Sequence, residues 1–94
     1  MIVGFKDPRC AALFERKSPG KGFPGVLERI TRRKLAMLEA AERLDDLRFP
    51  PGNRLETLQR DRKGQHSIRV NDQFRLCFVW TAQGPTEVEF TDYH

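Results

Sequence analysis

Hydrophobic and polar positions along the chain fall into two halves with different periods. Ile2 to Phe5 is a short apolar opening that predicts an edge strand. Asp7-Pro8 reads as a helix N-cap followed by proline in the first turn. Cys10, Leu13 and Phe14 follow at helical spacing, so a short helix is expected to about Arg16. Lys17 to Pro24 mixes glycine, proline and lysine and predicts a mobile loop. From Gly25 to Leu44, Leu27, Ile30, Met37, Leu38, Ala41 and Leu44 share one helical face, while Glu28, Arg29, Arg32 and Arg33 fall elsewhere. This predicts the longest helix. Its Arg32-Arg33-Lys34 cluster reads first as a solvated face and second as a phosphate contact.

The Pro-Pro-Gly of Arg48 to Asn53 cannot continue a helix. Beyond it the period shifts toward two. Leu55 to Gln59 is a short strand candidate, and Asp61 to Gly64 is a turn. His66, Ile68 and Val70 alternate with Ser67, Arg69 and Asn71. After a tight connection at Asp72-Gln73, Phe74, Leu76, Phe78 and Trp80 alternate with Arg75, Cys77 and Val79. Gln83-Gly84-Pro85 turns the chain, and Val88 and Phe90 alternate with Glu87, Glu89 and Thr91. Three or four strands joined by tight turns make an antiparallel meander. The apolar helix stripe and the aromatic sheet face each need the other. The predicted architecture is therefore α+β, with two N-terminal helices on one face of a small twisted antiparallel sheet.

Strand parity makes the other face chemically interesting. If Phe74, Leu76, Phe78 and Trp80 pack under the helices, Arg75 points away from them. Arg69 and Tyr93 share its parity, with Asp92 and His94 at the lip. Arginine forks bind phosphate oxygens, tyrosine stacks on bases or handles a proton, and histidine titrates near neutral pH. The same residues also suit an ion-paired surface, with Arg75 bridging to Glu87 or Glu89 and Asp92 to His94 forming a tail.

Composition narrows the field. The 94 residues fit one small domain, 1–94. Such a chain buries only about 60–65% of its unfolded surface, which favours a shallow site walled by a large partner over a closed cavity. Lysine and arginine number 17 against 13 aspartates and glutamates, for a net charge of +4. That balance points toward a polyanion. The cysteines, Cys10 and Cys77, sit in apolar sequence and read as small buried hydrophobes in a reducing compartment. With His66 and His94 alone beside them, no metal-site spacing appears, so phosphate chemistry falls to side chains without metal or cofactor. No apolar run approaches the roughly 18 residues of a membrane span, and no signal peptide precedes the charged start. The expected location is cytoplasmic, with no membrane partner.

The second half resembles the HigB branch of the RelE/ParE toxins. The residues that carry the likeness are PPGNRLE (Pro50 to Glu56), DRKGQHSIRVNDQFRLCF (Asp61 to Phe78) and the terminal DYH (Asp92 to His94), with FKD and LFE (Phe5 to Asp7, Leu13 to Glu15) fitting more loosely. The resemblance implies a ribosome-dependent mRNA interferase that inhibits translation. In that chemistry a ribose 2′-hydroxyl attacks the adjacent phosphate and leaves a cyclic phosphate and a free 5′-hydroxyl. By matching position, Arg75 holds the scissile phosphate, His94 transfers the proton, Asp92 orients or charges the site, and Tyr93 stacks or assists. Arg60, Arg62, Lys63 and Arg69 are the expected RNA contacts. Where some family members place a histidine and a lysine before the turn, this chain has Glu56 and Gln59, and Arg60 stands in for the missing charge. His66 replaces a common aromatic and reads as a partly buried face residue. The implied partners are the ribosome with bound mRNA and a cognate helix-turn-helix (HigA-like) antitoxin, through which alone operator DNA is reached. Two other functions compete: a non-catalytic, ParE-like gyrase inhibitor, and a non-catalytic RNA-binding module built on Arg69, Arg75 and Tyr93.

Overall fold

The computed structural model describes residues 1–92. Two helices, α1 (Pro8–Phe14) and α2 (Glu28–Ala40), precede four strands: β1 (Glu56–Thr57), β2 (His66–Arg69), β3 (Arg75–Thr81) and β4 (Gly84–Thr91). The strands pair antiparallel in sequence order, β1-β2-β3-β4, and make the expected meander. Cys10 and Leu13 of α1 and Leu35 and Leu38 of α2 pack on Ile68, Leu76, Phe78, Val88 and Phe90 of the sheet. The core thus joins the helix stripe to one sheet face, as the pattern requires.

Local chemistry sets the ends of the elements. The Asp7 carboxylate accepts from the Arg9 amide at 2.9 Å and caps α1. It also accepts from the Arg9 guanidinium and from the Phe90 amide, so one side chain ties α1 to β4. Helix α1 stops at Phe14, not at Arg16, because Arg16 adopts a left-handed backbone with φ 62°. The Arg16 and Lys17 amides then donate back to the Leu13 and Ala12 carbonyls in the two-bond Schellman closure.

Helix α2 is shorter than its apolar period. A 3-10 turn covers Gly25–Leu27, α2 ends at Ala40, and Leu44–Arg48 forms a separate 3-10 turn. The Asp46 carboxylate accepts from the Glu42 and Arg43 amides at 3.0 Å each, starting a new turn before the old helix can continue. Leu44 still packs on the core, so the apolar spacing outlasts the helix that suggested it.

The opening segment does run along the sheet, but only as a single parallel bridge between Phe5 and Val88, with the Val3 amide on the Pro85 carbonyl. Gly84 has φ 131°, and a Cβ there would lie 2.0 Å from the Met1 carbonyl oxygen, so no larger residue fits that approach. A bulge in β4 places Glu87 at φ 54°, and beyond it Val88 and Phe90 lie in the core on one face by ordinary alternation. Among the described residues no helix is long and apolar enough to cross a membrane.

Candidate active site

The face of the sheet away from the helices carries two cross-strand rows. Glu56, Ser67, Cys77 and Glu89 make one, and Arg69, Arg75 and Thr91 make the next. Arg75 and Arg69 are therefore direct neighbours on that face, as parity demands. The face is less open than parity alone suggests. Ser67 and Cys77 are fully buried, and the Arg75 side chain is 9% exposed.

Arg75 is held from several sides. Its Nε donates to Ser67 Oγ at 2.7 Å, and its Nη2 donates to the Arg54 carbonyl oxygen. Glu56 Oε1 lies 3.4 Å from the same Nη2. The cross-strand acid expected for it was Glu87 or Glu89. The register instead brings Glu56 of β1 to Arg75, while Glu89 pairs with Arg62 at 2.8 Å. No described residue bonds Nη1 of Arg75. A guanidinium fixed by two of its nitrogens, with a third left over, is a preorganised donor for an anion.

The acceptor carbonyl has its own foundation. Arg54 adopts a left-handed conformation, φ 46° and ψ 56°, at the end of the Pro51–Asn53 turn. Asn53 beneath it is completely buried. Its Nδ2 donates to the Leu47 and Phe49 carbonyls at 3.2 Å each, and its Oδ1 accepts from Lys34 Nζ at 2.6 Å. The expected solvated cluster on α2 is thus divided: Arg33 is exposed, Arg32 is half-buried, and Lys34 is buried. Burial, with the nearby charges of Arg33 and Arg69, holds the Lys34 amine below its ordinary pKa. Lys34 sits on the apolar stripe, four residues from both Ile30 and Leu38, and that spacing is the signal that could have found it.

The other expected RNA contacts spread along one side. Arg69 is ion-paired with Asp72, which lowers the Asp72 pKa. Arg62 bonds Gln65 as well as Glu89. Arg60 and Arg62 line a shallow cleft of about 260 Å³ with Gln59 and Asp61. Lys63 is exposed just past that turn. Asp92 is exposed and accepts from Gln73 Nε2 at 3.4 Å. Tyr93 and His94 lie outside the described residues.

His66 takes the place expected of a face residue. It pairs with Phe78 on the core side, ring centroids 6.1 Å apart, and shares a hydrogen bond with Thr57 Oγ1. Burial pushes its pKa down. Cys77 lies under the site with Arg62, Glu89, Arg75 and Glu56 close enough to bear on it, and burial pushes its thiol up to about 11. Both cysteines are free thiols. Among the described residues no three of His, Cys, Asp and Glu cluster as ligands for a metal ion.

Sequence reasoning missed the groups that hold Arg75 in place. Ser67 shares the parity of Arg69 and Arg75 and was within reach of that argument. The Arg54 carbonyl was not, since a backbone acceptor leaves no mark in the side-chain pattern.

Comparison with known proteins gives this arrangement a family. A family model described as the RelE-like toxin of the type II toxin-antitoxin system HigB matches residues 3–94. Toxin HigB-1 of Vibrio cholerae serotype O1 is 44% identical over 80 residues, covering 85% of this chain and 84% of the relative. An uncharacterised protein of Haemophilus influenzae is 36% identical over 76 residues, covering 81% and 75%. Toxins of type II systems act opposite an antitoxin, so membership carries an antitoxin partner with it. The chain belongs to the HigB-like family of RelE-type toxins.

Proposed function

We propose that this toxin is a ribosome-dependent endoribonuclease that cleaves mRNA by attack of a ribose 2′-hydroxyl on the adjacent phosphate, and so inhibits translation. The observation that supports this best is the fixed Arg75 guanidinium, bonded to Ser67 Oγ and the Arg54 carbonyl, with Arg69 beside it. The reaction needs a base for the nucleophile, charge stabilisation at phosphorus and an acid for the leaving oxygen. Arg75 supplies the second. His94 moves the proton, Asp92 orients or charges the site, and Tyr93 stacks or assists. These roles need only side chains.

Arg60, Arg62, Lys63 and Arg69 contact the RNA backbone. For Arg62 and Arg69, phosphate oxygens replace Glu89 and Asp72 as partners, an exchange of one anion for another. The shallow face fits a reaction whose second wall is the ribosome. The antitoxin is a helix-turn-helix (HigA-like) protein that carries the pair to operator DNA, and the toxin works in the cytoplasm.

Primer extension on a reporter mRNA in a purified translation system tests the reading. Cuts confined to ribosome-bound message, with a 2′,3′-cyclic phosphate on the upstream fragment, are expected. Intact message in cells that still arrest, with gyrase-linked DNA damage, would replace it with the gyrase-inhibitor reading. Ribosome-independent, salt-sensitive RNA binding without any cut would leave a binding module.

A further inference from the structure

A cleft of about 390 Å³ opens between α1 and α2, away from the Arg75 face. Its floor includes Leu13 and Phe14, and Phe14 is 38% exposed. Its rim includes Arg16, Arg29, Arg32 and Arg33. Arg32 is committed, bonding the Leu13 and Lys17 carbonyls and pairing with Glu28 at 3.7 Å. Arg16, Arg29 and Arg33 are exposed, and none of the three is ion-paired among the described residues. Arg29 and Arg33 are four residues apart on one helix, a like-charge spacing that is unfavourable in a helix. The fold therefore keeps three unneutralised cations around an apolar floor, on the opposite side of the sheet from the arginines of the active site.

We infer that this cleft is the docking site for an acidic amphipathic segment of the antitoxin, an apolar side chain entering over Phe14 and flanking carboxylates engaging Arg29 and Arg33. Charge complementarity selects the occupant. Arginine forks donate bidentately to carboxylates, and an apolar floor rewards an apolar anchor. An RNA strand would bring phosphates to the rim and a base to Phe14, and loss of translation inhibition in the test below identifies that occupant. The inference rests on family membership and is independent of the cleavage mechanism.

The test pairs the purified toxin with the antitoxin encoded beside it, and compares wild type with an Arg29→Glu/Arg33→Glu variant. Antitoxin affinity by calorimetry should fall about ten-fold or more, with a steeper loss at low salt, as expected for rim charges that steer association. Translation inhibition by the variant alone should be unchanged, and cells should escape rescue by the antitoxin. Unchanged affinity overturns the inference. Unchanged affinity with lost inhibition overturns it in favour of an RNA contact at the cleft. Should the double reversal fail to fold, Arg29→Gln/Arg33→Gln and, separately, Phe14→Ser carry the same expectations.

Discussion

The ammonium of Lys34 donates to the side-chain oxygen of Asn53 at 2.6 Å, and this contact fastens α2 to the turn that presents the Arg54 carbonyl to Arg75. Asn53 spends its two amide hydrogens on the Leu47 and Phe49 carbonyls. One buried side chain thus fixes the helix, the Pro-Pro-Gly turn and the acceptor for the site arginine together.

Asn53→Ala should lower stability by about 3 kcal/mol, because it strands a buried ammonium and two carbonyls. Urea denaturation measures this. Adding Lys34→Met to Asn53→Ala should recover part of the loss, since the stranded charge goes with it. Strictly additive losses would show that the two residues do not act as a pair.

How much of this was legible in the chain depends on where each interaction lives. The meander and the helix stripe were readable because periods of two and 3.6 are imposed by burial on every residue of an element. Arg69 and Arg75 were placed on one face by the same parity, and the register makes them neighbours. The end of α2 was not readable, since Asp46 captures two amides by a local carboxylate contact that competes with an intact apolar stripe. The partner of Arg75 was also missed. Choosing Glu56 over Glu87 or Glu89 requires knowing that the two-residue β1 pairs with β2 and that β4 is bulged. Lys34 was hidden by its charge, although its spacing placed it among the leucines.

His66 makes stability depend on pH near neutrality. Burial lowers its pKa, so the folded protein binds fewer protons than the unfolded chain between that lowered value and about 6.5. The contribution is fully present above about pH 6.5 and is lost as the pH falls below it. Midpoints of urea unfolding at pH 7.5 and pH 5.5 should differ more in wild type than in His66→Gln. Equal differences would show that His66 does not titrate on unfolding.

Both thiols should resist alkylation in the folded protein. Cys10 and Cys77 are wholly buried, and burial raises both pKa values, that of Cys77 to about 11. The thiolate is the reactive form, and burial leaves Cys77 almost entirely as the thiol near neutral pH. Iodoacetamide followed by mass spectrometry should find no adduct on native protein and two in denaturant. Rapid native labelling at Cys77 would mean that the face over Ser67 and Cys77 opens readily.

Under the proposed function, Arg75 is a prefixed stabiliser of negative charge at the scissile phosphate. Single-turnover cleavage of mRNA on a programmed ribosome, by wild type, Arg75→Ala and Arg75→Lys of matched thermal stability, tests it most directly. Loss of the anchored fork should slow cleavage by about 30- to 1,000-fold in Arg75→Ala, equivalent to about 2–4 kcal/mol in the transition state. Arg75→Lys should recover only part of it, because an ammonium keeps the charge and loses the fork geometry. Wild-type cleavage by folded Arg75→Ala would contradict the account and return Arg75 to a purely structural ion pair with Glu56.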